Sequence, residues 1–221
     1  MKTQMTAKTK VLLADDHRII RDGLKQILAD TEDLEVCGEA ANGIEVMQQI
    51  RENDWDILVL DISMPGRSGL DLIRMVKDEK PSIPILILSM HHEEQYAVRA
   101  IHAGASGYLT KESDGELLIA AIRRVASGGV YITDKVAELM VREIRPINES
   151  LPHSLLSDRE FQVFNKLVMG MGLTEIGDDL SLSVKTISTH KTHILQKMNL
   201  ANTAELIRYA ITHGLADPSD Y

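Results

Sequence analysis

The sequence predicts an α/β, doubly wound, five-stranded parallel sheet followed by a small all-α domain of four helices. Three observations predict it. Short apolar runs alternate with amphipathic segments five times in the first half of the chain. Strands alternating with helices of that length point to crossover units and a parallel sheet covered on both faces. A stretch with two prolines, Arg145-Pro-Ile-Asn-Glu-Ser-Leu-Pro152, then breaks every period, and beyond it only helical spacing remains.

In chain order, the strand-like runs fall at 10–15, 34–38, 56–61, 84–89 and 106–109. Helical segments lie at 17–29, 43–53, 69–79, 93–103 and 114–127. Asn42-Gly43 and Asn53-Asp54 flank the second helix, and Pro81 and Pro84 bracket the approach to the fourth strand. Gly128-Gly129 stops the fifth helix, since glycine adopts a left-handed cap at little cost. A Val-Tyr-Ile run and a helix over 134–144 lead into the break. After it, Ser157-Asp-Arg-Glu160 has the form of a capping box. Phe161, Phe164, Leu167 and Val168 then repeat at helical spacing up to Gly170. Helices over 173–180 and 184–198 are joined tightly through Ser181-Leu-Ser183, and Asn202 caps a last helix ending near Gly214. Four short helices with the middle two so joined suggest a helix-turn-helix.

Composition narrows the function classes. The longest apolar runs are far short of a membrane span, and the first residues lack the apolar stretch of a signal peptide. The single cysteine, Cys37, excludes an internal disulfide and fits a reducing cytoplasm. A net charge of −9 argues against indiscriminate nucleic-acid binding. The charge is unevenly placed, however. Ser181 to Ala204 holds no acid but has Lys185, Lys191 and Lys197.

The chemistry gathers at the ends of strands. The first apolar run ends in Asp15-Asp16, the third in Asp61, the fourth in Ser89 and the fifth in Tyr108-Leu-Thr-Lys111. Open parallel sheets use that rim for ligands. Three carboxylates there repel one another unless a cation intervenes, and oxygen-only donors suit a hard divalent ion such as Mg2+. A carboxylate can attack a phosphoryl donor to form an acyl phosphate, given a metal and a fixed cation such as Lys111. Each residue alone has a plainer reading: Asp16 as a helix cap, Lys111 as a solvated lysine, Ser89 as a turn residue, Tyr108 as packing. The signal is their joint occurrence, in order. His91 and His92 are adjacent, so their side chains diverge, and they read as loop residues rather than a metal pair.

These residues make the first part resemble the receiver domain of bacterial two-component response regulators, matched by Asp15-Asp16, Asp61 with Met64-Pro65, Ser89 and Lys111. The resemblance implies that Asp61 accepts a phosphoryl group from a histidine kinase. It implies Mg2+ held by Asp16, Asp61 and the Ser63 backbone carbonyl, with Asp15 acting through water. Ser89 and Tyr108 would form the switch pair. Lys111 is followed by Glu112 rather than the proline common in receivers, so a cis bond is not expected.

In the helical part, Val184, Ile187, Ile194, Leu195 and Met198 share a wheel face and are expected to pack inward. Lys185, Thr189, Thr192 and Gln196 lie opposite, with Ser188 and His193 on the shoulders. That face carries no acid and can approach phosphates and base edges, though taken alone it fits the solvated face of an ordinary bundle helix better. The segments Leu156-Ser-Asp-Arg-Glu160, Val184-Lys-Thr-Ile-Ser-Thr-His190 and Leu195-Gln-Lys-Met198 resemble the LuxR-type module of NarL/FixJ-class regulators. That resemblance implies a helix from Val184 in the major groove. Lys185, Ser188, Thr189 and Thr192 would face bases, Thr186 and His190 lie nearer the backbone, and Lys191 reaches DNA by snorkelling. Thr174 and Gly177 depart from the usual Lys and Ala, and the glycine should weaken its helix by up to about 1 kcal/mol.

The organisation implied is a receiver over 8–130, a linker with a helix over 131–153, and a DNA-binding module over 154–215. The expected protein is a cytoplasmic, homodimeric, phosphorylation-controlled transcription regulator. Its receiver would catalyse only its own phosphorylation and dephosphorylation. Two alternatives stand beside it: an aspartyl-phosphate hydrolase, which would want an acid where Ser63 stands, and a regulator that keeps the fold but never sees phosphate.

Overall fold

A computed structural model describes residues 8–64, 69–90, 93–144, 151–213 and 215–216. Pro65, His91, His92 and most of the proline-bearing break lie outside the described residues. The chain divides into two compact units, Met1–Arg142 and Glu143–Tyr221, a division that falls inside the 131–153 segment.

In the first unit, β1 (Thr9–Ala14), β2 (Leu34–Ala40), β3 (Ile57–Asp61), β4 (Ile85–Ser89) and β5 (Gly107–Thr110) alternate with helices. These are α1 (Arg18–Ala29), α2 (Gly43–Glu52), α3 (Leu70–Glu79), α4 (Glu93–His102) and α5 (Gly115–Ala126), with α6 (Asp134–Ile144) following. All strand pairs are parallel, in the order β2-β1-β3-β4-β5. The order reverses at β1, so a crevice opens where the chain leaves β1 and β3 in opposite directions.

Helix ends follow their local chemistry. The Asn42 side chain accepts from the Ile44 and Glu45 amides to start α2, and Asp114 accepts from Leu117 to start α5. Gly128 takes a φ of +85° just past α5. At the start of α1 the cap position is His17, with no side-chain capping bond, so Asp16 does not serve as a cap.

Strand facing is set by register. Val11, Leu13, Ile57, Val59, Leu86, Leu88 and Leu109 form one buried cluster with Leu28 of α1 and Leu118, Ala121, Ile122 and Val125 of α5. Alternation continues those rows into Asp15, Asp61 and Lys111, which therefore emerge on the α1/α5 side of the rim. Ile87 and Tyr108, register partners, lie in the opposite row, as does Ser89. The Val-Tyr-Ile run makes a single parallel bridge to Gly107: Tyr131 N–H donates to Ser106 O, and Tyr108 N–H donates to Tyr131 O at 3.1 Å. A Cβ on Gly107 would lie 2.9 Å from that Tyr131 oxygen, so the close pairing requires glycine.

The second unit holds a 3-10 turn (Pro152–Leu155), α7 (Asp158–Val168), α8 (Leu173–Asp179), α9 (Val184–Lys197) and α10 (Thr203–Thr212). Both halves of the Ser157–Glu160 capping box form at α7. Phe161, Val163, Phe164, Ile176, Ile187, Ile194, Met198 and Leu206 make its core. The turn between α8 and α9 is closed by Leu182 N–H donating to Gly177 O at 2.8 Å. A Cβ on Gly177 would sit 2.8 Å from Leu182 O, so this glycine permits the tight turn as well as lowering helix propensity.

Candidate functional site

The rim of the first unit brings Asp15, Asp61 and Lys111 into direct contact. Lys111 Nζ lies 2.6 Å from Asp15 Oδ2 and 2.8 Å from Asp61 Oδ2, with all three side chains nearly buried. Asp61 is separated from Lys111 by the whole of β4, and the long lysine stem crosses that gap along the shared face. Each carboxylate is also held by its own main chain: Asp61 Oδ1 accepts from Ser63 N–H at 2.9 Å, and Asp15 Oδ1 from His17 N–H at 2.7 Å. Burial pushes the Asp61 carboxyl above its ordinary pKa, against the opposing pull of Lys111 and the Ser63 amide. Burial opposes the charge on Lys111 as well, but its two carboxylate partners outweigh it and raise its pKa.

Asp16 sits beside this pair, half-buried. Its Oδ1 is shielded from water and lies 3.0 Å from His17 Nδ1, without accepting a well-formed hydrogen bond. One donor atom from each of Asp15, Asp16, His17 and Asp61 lies within 4.8 Å of the others. Three hard carboxylate donors so close together fit a divalent cation, and such a cation would relieve their mutual repulsion. His17 joins this group although sequence reasoning passed over it; the only signal was its place directly after two acids.

Ser89 is fully buried as the last residue of β4, paired in register with Thr110, and Tyr108 is fully buried two residues before Thr110 in the adjacent strand. They thus share one row of the sheet, across it from the row that carries Asp61 and Lys111. The bond from Lys111 to Glu112 is trans.

In the second unit, α9 presents Lys185, Ser188, Thr189 and Thr192 to solvent, while Thr186, His190 and Lys191 are half-buried. Ser183 caps the helix, accepting from Thr186 N–H at 3.1 Å and meeting its hydroxyl at 2.8 Å. Thr189 donates to Lys185 O and Thr192 to Ser188 O, each at 3.0 Å, which leaves the hydroxyl lone pairs and the methyl groups facing outward. Burial, with Arg159 nearby, lowers the His190 pKa and favours its neutral form. One expectation is corrected: Val184, placed inward by the helical wheel, is 44% exposed. It is the first residue of the helix, where the Ser181–Ser183 turn replaces the layer the wheel assumes. Leu195 is only half-buried, while Ile187, Ile194 and Met198 pack as expected.

The far end of α9 is tied to α7. Lys197 donates to Glu160 Oε2 at 2.6 Å, and His193 lies 3.9 Å from Glu160 Oε1. Sequence reasoning saw Glu160 only as half of a capping box. Its second role joins residues 37 positions apart and carries no local signature.

Comparison with known proteins agrees with both units. Residues 11–123 match the response regulator receiver domain family, and residues 154–210 match the luxR family of bacterial regulatory proteins. The chain is 38% identical over 215 residues to the oxygen regulatory protein NreC of Staphylococcus carnosus, covering 94% of this chain and 99% of that one. Among solved structures it resembles the RcsB response regulator of Salmonella typhimurium, with a TM-score of 0.69 and 26% identity over 94% of this chain and 98% of that one. RcsB from Salmonella enterica serovar Typhimurium, bound to promoter rprA in the presence of phosphomimetic BeF3-, matches with a TM-score of 0.65 and 26% identity. That match covers 91% of this chain and 98% of the other.

Proposed function

Since this chain belongs to the two-component response regulators of the NarL/FixJ class, a receiver joined to a LuxR-type helix-turn-helix, we propose that Asp61 is where a histidine kinase places the phosphoryl group. The protein is a phosphorylation-dependent, DNA-binding transcription regulator. The observation that carries the assignment of Asp61 is the Lys111 ammonium bridging two buried carboxylates at the sheet's switch point.

In this reading an Asp61 carboxylate oxygen attacks phosphorus. The phosphorus–nitrogen bond to the kinase histidine breaks, and the imidazole leaves with the electron pair. Lys111 holds a positive charge against the phosphoryl oxygens, as transfers of this kind require. Asp15, Asp16, Asp61 and the Ser63 carbonyl would hold Mg2+, which when bound neutralises charge on the transferred group. Ser89 and Tyr108 act as the switch pair, and their shared row on the sheet supports a concerted adjustment. The receiver's own chemistry is confined to gaining and losing this one group.

The functional divisions follow as a receiver over 8–130, a linker over 131–153 and a DNA-binding module over 154–215. Lys185, Ser188, Thr189 and Thr192 approach base edges from α9, with Thr186, His190 and Lys191 nearer the phosphates. The promoter-bound RcsB relative supports a double-stranded operator as the partner, and two-fold pairing of this chain would read it as a homodimer. The cytoplasm is the fitting compartment for such a regulator, and among the described residues no helix is long and apolar enough to cross a membrane.

The test is phosphoryl uptake from a small acyl-phosphate donor with Mg2+, read by intact mass. The wild-type chain should gain one phosphoryl group and Asp61→Asn none. Equal labelling of both proteins would remove Asp61 from the role.

A further inference from the structure

The loop between β1 and α1 carries two of the three acids, and its main chain is gripped from both sides. Asp15 N–H donates to Ala40 O at 3.1 Å, extending the ladder with β2 by one rung. The Asp15 carbonyl accepts from Arg21 Nη1 at 2.6 Å. The same guanidinium places Nε 3.0 Å from Glu39 Oε2 on β2, and its side chain is only 14% exposed. Lys25 holds the other oxygen of Glu39 at 2.8 Å. Arg21 therefore spans from α1 over the end of β1 to β2, with one end of its fork on a carbonyl and the other on a carboxylate.

A peptide unit is planar, so fixing the Asp15 carbonyl also fixes the plane from which Asp16 departs. The Asp16 side chain makes no well-formed hydrogen bond through Oδ1, where its neighbour is the exposed His17 ring at 3.0 Å, so the main chain it departs from does much to set its aim. We infer that Arg21 is a positioning residue for the cation site. Through the Asp15 carbonyl it aims the Asp16 carboxylate at the position shared with Asp15 and Asp61. This deepens the function proposed above and rests on it. A role through charge alone has the opposite sign, because a guanidinium beside the acids repels a divalent cation. Lysine keeps the charge but lacks the rigid fork that reaches both partners.

The experiment measures Mg2+ affinity by calorimetry on the full chain as wild type, Arg21→Ala and Arg21→Lys, with denaturation midpoints for each. Arg21→Ala should weaken Mg2+ binding by about tenfold, the lower end of what removing an orienting partner costs. Arg21→Lys should weaken it by a similar factor, and it gives the same reading should the alanine protein not fold. Unchanged or tighter binding in either folded variant overturns the inference, including the case in which only the denaturation midpoint falls. A wild-type chain that binds no Mg2+ overturns the cation site and this inference together. Normal wild-type binding with an unchanged Arg21→Ala overturns the inference alone.

Discussion

The carboxylate rim and the α9 face solve opposite problems. At the rim, Asp15, Asp61 and Lys111 come from three separate segments, are nearly buried and are crossed by short ionic contacts, and both carboxylates are fixed by their own main chain. On α9, neighbours along one helix stay exposed, and the Thr189 and Thr192 hydroxyls bond to the helix's own backbone. Charge placed inside a protein must be compensated on site, so the rim is over-determined. In the proposed function the α9 face meets DNA, and such a surface keeps its groups solvated until the partner arrives, so it is left open. Rim substitutions should therefore act nearly all-or-none, and helix-face substitutions in graded steps.

The largest effect is expected at the rim. In the proposed cation site Asp16→Ala removes a direct carboxylate donor, and it should weaken Mg2+ binding by about 100-fold or more, beyond the loss of an orienting partner. Calorimetry checks it, and a loss of only a few-fold would make the rim as gradual as the helix face.

An intermediate effect is expected where the second unit does bury a charge. Burial pushes the Glu160 carboxyl up, but the Lys197 ammonium and the Ser157 amide and hydroxyl outweigh it and hold the pKa below the usual glutamate range. A depressed folded-state pKa stabilises the fold at pH above the unfolded value. That contribution is lost as pH falls through the folded value. Glu160→Gln should cost about 1–2 kcal/mol near neutral pH, discounted because Lys197 is partly exposed. Denaturant titrations from neutral to about pH 4 and below should show the wild-type advantage shrinking as the solution becomes acidic. A constant difference would place the stabilisation in the capping bonds rather than in the ion pair.

The smallest effect belongs to the open face. Lys185→Ala should weaken DNA binding several-fold and reduce the salt-dependence slope by about one. An unchanged slope would remove Lys185 from the phosphate contacts and leave the face defined by its hydroxyls.

How much of this was legible in the sequence differs between the two regions for a physical reason. Ile57–Leu60 and Ile85–Leu88 are apolar throughout because both sheet faces are covered. Such runs reveal that a strand exists, and where it ends, but not which side each residue takes. That Asp61 and Lys111 share a face while Ser89 and Tyr108 share the other required the register. Arg21 was hidden for a related reason: it acts on a main-chain carbonyl, and a carbonyl has no letter. The polar face of α9 was visible as spacing, yet its assignment to DNA needed the family resemblance, since a solvated bundle helix has the same pattern. Val184 shows where the helical wheel fails, at a first turn with no preceding layer to pack against.

The most direct test of the whole account joins the two regions. Binding to one duplex operator, at fixed salt, is measured for wild type and Asp61→Asn, each with and without the phosphoryl donor and Mg2+. Phosphorylation should tighten wild-type binding by about tenfold, within the usual range of coupling between two sites, and leave Asp61→Asn unmoved. Donor-driven tightening in Asp61→Asn, or none in a wild-type protein shown to carry the phosphoryl group, would contradict it.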